Sequence, residues 1–236
     1  MRIAIVPARG GSKRIPDKNI VDFVGAPLMS YSIRAAQSSG LFDTIHVSTE
    51  SARIADVAAG LGVPVDFMRD PSLADDHTPL MPVLRWVLEQ YSSRGQQFDT
   101  VCLLMPTAPL IDASDLERGC DLFERHGGKR GVMAVTRFNV PIEWAFDLHE
   151  DGTLSARNPG MAGIRSQDLR PAYHDTGTFV FVPAAQIKAG TVDDGRMIGL
   201  PIAAYKAVDI DDPEDLQLAE VIFRGLGNSQ LGRKLL

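Results

Sequence analysis

The sequence predicts an α/β fold in which helices cover both faces of a mainly parallel sheet. Two observations carry this. Apolar runs alternate with stretches of helical period along most of the chain. The run Thr100-Val-Cys-Leu-Leu-Met105 is continuously apolar, as strands covered on both faces are. Size and composition agree: 236 residues, 44% hydrophobic and 23% charged, suit a globular chain with one good core. Residues 1–236 therefore read as one domain, with an insertion at about 138–175.

Taken in order, Ile3, Ile5 and Val6 suit a buried opening strand. Leu28, Tyr31 and Ala35 give a helix over Pro27–Ser38, stopped by Gly40. Thr44–Thr49 reads as a strand. Ile54, Val57, Ala58 and Leu61 mark an amphipathic helix closed by Gly62. Val63–Phe67 reads as a short strand, and Met81, Leu84, Leu88 and Tyr91 as a helix. After Thr100–Met105, Ser114 and Glu117 resemble a capping box before Leu116, Cys120 and Phe123. Gly131–Thr136 is a further strand.

The rhythm then breaks. The stretch from Arg137 to Asp175 holds Pro141, Pro159 and Pro171 and little helical period. Within it, Glu143–His149 reads as a strand and Glu150-Asp-Gly152 as a hairpin turn. An insertion this long usually has a function, such as a lid or a dimer arm. Thr178–Val182 resumes the core. Ala207–Ile210 reads as the last strand, and Asp212-Pro213 caps a final helix through Arg224, with a loosely held tail after Gly225.

Composition excludes several classes. A net charge of −6 argues against nucleic-acid binding, which needs a broad basic surface. No apolar run approaches the ~20 residues of a membrane span, and no amino-terminal stretch has signal-peptide form. The chain reads as cytoplasmic, without a membrane partner. Cys102 and Cys120 lie in an apolar strand and on a helical apolar face, and read as buried free thiols. The five histidines show no zinc spacing, and the Gly-x-Ser-x-Gly elbow of esterases is absent.

The positive charge is concentrated instead. The opening strand runs into Ala8-Arg-Gly-Gly-Ser-Lys-Arg-Ile-Pro-Asp-Lys-Asn19, which places Arg9, Lys13, Arg14 and Lys18 on one loop. Gly10 and Gly11 allow close backbone approach to a ligand. A strand ending in such a loop suits a polyphosphate; a solvated basic turn is the plainer alternative. Neither the Gly-x4-Gly-Lys-Ser/Thr loop nor the dinucleotide Gly-x-Gly-x-x-Gly pattern is present there. Pro106-Thr-Ala-Pro109 and Asp209-Ile-Asp-Asp212 also follow predicted strands, so all three segments converge where α/β sheets bind ligands. Asp209 and Asp211 share one side of a strand and suit Mg²⁺ bound with phosphate oxygens. Asp212 reads as a helix cap. Arg165–Gly177 gathers Arg165, Gln167, Asp168, Arg170, Tyr173, His174 and Asp175. Arg suits carboxylate recognition; a solvated polar loop is the plainer alternative for this stretch. His174 reads as structural or substrate-positioning rather than as a general base, and His77 as a loop residue.

These motifs, in this order over residues 1 to about 224, resemble the cytidylyltransferases that activate acidic nine-carbon sugars. Val6–Asn19 resembles their CTP loop, Leu104–Pro109 their second motif and Asp209-Ile-Asp211 their metal motif. Arg165–Leu169 with Tyr173–Gly177 looks most like the pseudaminic acid branch. Met105 stands where the sialic acid enzymes usually carry a Gln that contacts the sugar. The resemblance implies a three-layer α/β/α Rossmann-like nucleotidyltransferase fold with an inserted dimerisation arm, and a homodimer. It implies that Ala8, Arg9, Gly10, Gly11, Ser12, Lys13, Lys18 and Asn19 surround the CTP phosphates and that Arg69 reaches the cytosine side. Asp209 and Asp211 would hold Mg²⁺. Thr107, Arg165, Gln167, Tyr173 and Asp175 would meet the sugar, and Arg9, Lys18, Asp209 and Asp211 would serve the reaction. The implied reaction is CMP transfer from CTP to the anomeric hydroxyl with release of pyrophosphate. Rival substrates are legionaminic, sialic and 3-deoxy-manno-octulosonic acids. Rival classes are a metal-dependent glycosyltransferase and a nucleotide-binding module without turnover.

Overall fold

The computed structural model describes residues 1–75, 78–192 and 196–228. Its centre is a six-stranded sheet. In chain order, β1 (Arg2–Pro7) leads through a long loop to a small hairpin, β2 (Asp22–Phe23) and β3 (Ala26–Pro27), and then to α1 (Met29–Ser39). There follow β4 (Thr44–Ser48), α2 (Ala52–Gly60), α3 (Leu80–Ser93), β5 (Thr100–Leu104), α4 (Ala113–Arg125) and β6 (Val132–Arg137). A second hairpin, β7 (Phe146–Leu148) and β8 (Leu154–Ala156), precedes β9 (Tyr173–Pro183), α5 (Ala184–Ala189), β10 (Ile198–Pro201) and α6 (Pro213–Asn228). The sheet order is β10-β6-β9-β5-β1-β4. All neighbours run parallel except β9, which is antiparallel to both β5 and β6.

Alternation along β1 builds the three layers. Ala4 and Val6 join Val47, Cys102 and Phe181 beneath α1, α2 and α4, through Ile33, Ala58, Leu116 and Phe123. Ile3 and Ile5 face the other way, onto Leu84, Val87 and Leu88 of α3 and Ile187 of α5. Truncating any of these leucines to alanine costs about 2–5 kcal/mol. Gly119 of α4 sits so close to the sheet that an added Cβ would lie 2.8 Å from Phe179. A third cluster matters more for the site. Ile15, Phe23, Leu28, Ile210 and Ala219 pack together, with Tyr31 and Phe223 against them. It joins the loop after β1 to the segment before α6.

Several expectations need correction. Val63–Phe67 forms no strand. Val63 N–H instead bonds Ala58 to close α2, and Phe67 stacks on His46 of edge strand β4 with centroids 4.6 Å apart. This segment covers the sheet rather than pairing with it. The capping box of α4 is formed by Asp112 and Asp115, not Ser114 and Glu117. Glu143 and Trp144 lie in a 3-10 turn, and only Phe146–Leu148 is strand. Ala207–Ile210 is not a strand either; β10 takes the place beside β6. Val208 and Ile210 serve the third cluster, where Ile210 is fully buried. Asp212 does cap α6: its side chain accepts from the Glu214 and Asp215 amides. Cys102 and Cys120 are buried and free. Among the described residues no helix is long and apolar enough to cross a membrane. His77 and the tail beyond Asn228 lie outside the described residues.

Candidate active site

A cleft of about 520 Å³ opens beyond the carboxyl ends of β1 and β5. The loop after β1 supplies Arg9, Ser12, Lys13, Arg14, Lys18 and Asn19. The loop after β5 supplies Met105, Pro106 and Thr107, and Arg69, Asp75, Thr78 and Asp211 add to the polar wall. In a chain of net charge −6, this is a local concentration of cations, suited to an anionic ligand.

The loop is held from within. Buried Asn19 donates from Nδ2 to the Arg9 carbonyl at 2.8 Å, closing the loop on itself. Ala8 N–H bonds the Ser48 carbonyl at 2.9 Å, so the β1–β4 ladder sets where the loop departs. Gly10 N–H donates to Glu50 Oε1 at 2.6 Å, and an added Cβ would come within 3.1 Å of Ser51 Cβ. Gly10 thus suits the close approach to the start of α2, where a side chain would make Ser51 give by a few tenths of an ångström, while the space around Gly11 is open. Asp17 adopts a left-handed φ of 52° just before Lys18, and its carboxylate pairs with Arg53 at 2.8 Å.

Arg69 is almost wholly buried. Its guanidinium donates to Ser48 Oγ at 3.0 Å and to the Ser48 carbonyl at 2.5 Å. Burial lowers its pKa from the ordinary value, against the pull of Glu50. Two of its donors are spent on Ser48, which fixes the plane it presents to the cleft.

The carboxylates divide. Asp211 meets Arg14 at 2.7 Å and Lys18 at 3.2 Å. Partial burial raises its pKa, but the hydrogen bonds from Arg14 and Lys18 outweigh this and leave it below the ordinary value. Asp209 is displaced upward, first by burial and then by the charges of Asp211, Asp215 and Asp175, with Lys18 opposing. It lies against the Gly177 turn, where an added Cβ would stand 3.3 Å from Asp209 Oδ2. Asp175 accepts the Gly177 N–H at 2.9 Å in the same turn. Asp209 and Asp211 are therefore neighbours although no strand carries them.

Arg9, Ser12, Lys13, Lys18, Asn19, Arg69, Thr107 and Asp211 line one cleft, with Asp209 and Asp175 adjoining each other near it. Arg165, Gln167 and Tyr173 do not line it. Arg165 pairs with its neighbour Asp168 at 2.9 Å on the inserted segment, and Tyr173 is exposed. Ser48, Glu50 and Arg14 also belong to the site; Ser48-Thr-Glu50 ends a predicted strand, the same signal that marks the other loops. Arg14 was read only as one charge of the loop, and its bond to Asp211 depends on the fold. Among the described residues no three His, Cys, Asp or Glu side chains form a metal cluster. Asp209 and Asp211 fit instead a cation that takes two carboxylates and fills its shell with phosphate oxygens and water.

Comparison with known proteins bears on family and fold. A family model described as cytidylyltransferase matches residues 3–127, from β1 beyond the end of α4. A pseudaminic acid cytidylyltransferase of Campylobacter jejuni is 42% identical over 76% of this chain and 77% of its own. A CMP-N,N'-diacetyllegionaminic acid synthase of Legionella pneumophila is 34% identical over 65% of this chain and 66% of its own. A solved CMP:2-keto-3-deoxy-manno-octonic acid synthetase complexed with CTP superposes with a TM-score of 0.69. It covers 95% of this chain and 98% of its own at 15% identity, a likeness of fold. The chain belongs to the cytidylyltransferase family.

Proposed function

We propose that this cytidylyltransferase moves CMP from CTP to the anomeric hydroxyl of a nonulosonic acid, pseudaminic acid foremost, and releases pyrophosphate. The observation that carries the reading is the cation-lined cleft at the β1 and β5 ends, in a chain 42% identical to a pseudaminic acid cytidylyltransferase. The anomeric hydroxyl gives its proton to solvent as its oxygen bonds the α-phosphorus, and the bond from that phosphorus to the oxygen of the departing pyrophosphate breaks. An anionic sugar must approach an anionic triphosphate, so the barrier is largely electrostatic. Arg9, Ser12 and Lys13 bind the phosphates, and Lys18 meets the charge that develops on departing pyrophosphate. Arg69, oriented by Ser48, faces the nucleoside end. Thr107 and Met105 line the cleft beside the reacting groups. Met105 offers no amide, which favours a less familiar sugar over sialic acid.

Mg²⁺ held by Asp209 and Asp211 would neutralise phosphate charge and orient the triphosphate. The site works in the cytoplasm, where CTP is at hand. The inserted segment forms a homodimer arm: Val140, Phe146, Leu148 and Leu154 are exposed on it, an apolar surface suited to a second copy. Docking would bring Arg165, Gln167 and Tyr173, which do not line the cleft of their own chain, toward a sugar in the partner's site.

The test is incubation with CTP, Mg²⁺ and a panel of free nonulosonic acids, following pyrophosphate release and CMP-sugar mass. Turnover of pseudaminic acid supports the full reading. Turnover of legionaminic acid alone keeps the chemistry and changes the sugar, and no turnover across the panel overturns it.

A further inference from the structure

The segment carrying Asp209 and Asp211 has no ladder to hold it. We infer that Lys206 is a positioning residue that pins this segment to the start of α4, and through it sets the two carboxylates against the cleft. Lys206 ends a 3-10 turn only a few residues before Asp209 and is 5% exposed. Its ammonium meets Asp112 Oδ2 and Asp115 Oδ2, each at 2.5 Å. Asp112 is the N-cap of α4, and Asp115 closes the reciprocal capping box. α4 in turn begins shortly after Thr107, which lines the cleft. Arg118 adds a second cation, reaching Asp115 at 3.3 Å and the Pro201 carbonyl at 2.8 Å. Two carboxylates and two cations therefore balance across the junction of α4 with the end of β10.

At its far end the same segment is held differently. Lys18 Nζ donates to the Ile210 carbonyl at 2.8 Å. The Asp211 and Asp212 amides donate to Asp215 Oδ2 at 2.9 and 3.0 Å. The segment is thus a short span fixed at two posts, Lys206 and Lys18, with Asp209 between them. Such a buried ion cluster gives little net stability compared with apolar packing. It does fix one geometry, and Asp115, nearly inaccessible at 2%, tolerates no unpaired alternative. Burial raises the Asp115 pKa against the opposing effect of Lys206, whose own pKa is raised by the two aspartates despite burial.

This inference rests on the proposed role of Asp209 and Asp211, and its test separates the two. Lys206→Met and Lys206→Arg are compared with wild type by kcat, by KM for CTP and by hydrogen exchange of the 204–212 segment. For Lys206→Met, kcat falls about tenfold or more, in line with the cost of a small misplacement at a reacting centre. KM for CTP stays within about threefold, because Lys18, the post shared with the phosphate loop, keeps its bond to the Ile210 carbonyl. Exchange accelerates in 204–212 while β1 and β5 stay protected, and Lys206→Arg restores most of both readouts. Wild-type kcat and unchanged exchange in a folded Lys206→Met overturn the inference. Faster exchange with unchanged kcat also overturns it, because Lys206 would then hold the segment without serving the reaction. If Lys206→Met does not fold, Lys206→Gln, which keeps a polar side chain while removing the charge that both aspartates meet, reads the same two quantities and is judged by the same outcomes. Wild-type protein that turns over no sugar breaks the proposed reaction instead. Exchange then reads the clamp alone, and unchanged protection overturns it.

Discussion

Gly177 and Gly40 have the same left-handed φ of 61°, and this makes them a matched pair for testing how Asp209 is held. Alanine at either position places an L residue in the left-handed region, at about 1–2 kcal/mol. At Gly40, which ends α1, the Cβ meets open space and that strain is the whole effect. At Gly177 the Cβ would lie 3.3 Å from Asp209 Oδ2 and 3.4 Å from its Cγ, so the carboxylate must retreat. The new methyl also removes water from a group whose pKa is already raised by burial and by Asp211. Gly177→Ala therefore displaces Asp209 and pushes its pKa further up, so that more of it is protonated as pH falls. The expected result has two parts. Urea unfolding shows both variants less stable, and Gly177→Ala more so, because the retreat of Asp209 adds to the same backbone strain. Turnover falls about tenfold or more for Gly177→Ala alone, and the acidic limb of its pH profile moves to higher pH. Gly177→Ala with wild-type turnover and Gly40-like stability would refute the argument that this turn holds Asp209. Equal loss of turnover in both would assign the effect to strain alone.

Other outcomes follow from the same geometry. Lys18→Ala, which removes a cleft cation and the bond to Ile210, should lower kcat about 100- to 1000-fold with the fold intact by circular dichroism; near wild-type turnover would remove Lys18 from the reaction. His46 is buried and neutral, its pKa lowered to about 4 chiefly by burial, while the unfolded value is near 6.5. A depressed pKa means the unfolded chain binds more protons between these values. The neutral form's contribution, about 3 kcal/mol, is therefore complete above pH ~6.5 and is lost as pH falls toward ~4. Urea titrations across this window should show that slope, and His46→Gln should flatten it; an unchanged slope would transfer the effect to other groups. Phe146→Asp with Leu148→Asp, both on the exposed hairpin, should halve the mass seen by light scattering, and an unchanged mass would exclude this surface as the dimer contact.

The parts legible in the sequence are those written in consecutive residues. β1 and β5 are apolar runs whose burial follows from composition, β4 alternates Ile45 and Val47 with polar residues, and the basic loop follows β1 directly. Direction is different: Thr178–Val182 reads identically whether it runs with or against its neighbours. Only the structure shows β9 antiparallel between β5 and β6, and starting at Tyr173 rather than Thr178. β10 escaped notice because Ile198-Gly-Leu-Pro201 carries Gly and Pro, which a strand accommodates at a sheet edge. Ala207–Ile210 shows the converse error. It is mostly apolar, but the buried Ile210 belongs to a small cluster beside the loop after β1 rather than to the sheet.

The site was readable as a set of residue types, and unreadable in what holds them. Asp209 and Asp211 were paired by strand logic, and they are neighbours for another reason. Lys18 reaches across 193 positions to Asp211 and Lys206 across 94 to Asp112. Neither distance leaves a trace in local pattern, since a lysine that clamps a loop and one that faces water look alike in sequence. The same holds for Glu50, which takes the Gly10 amide across 40 positions. A glycine placed for a ligand and one placed for a helix start are spelled the same way. Catalytic residue types cluster in motifs because chemistry demands them together at one point in space. Their supports are drawn from whichever element the fold brings near, so motif reading finds the reacting groups first and the groups that aim them last.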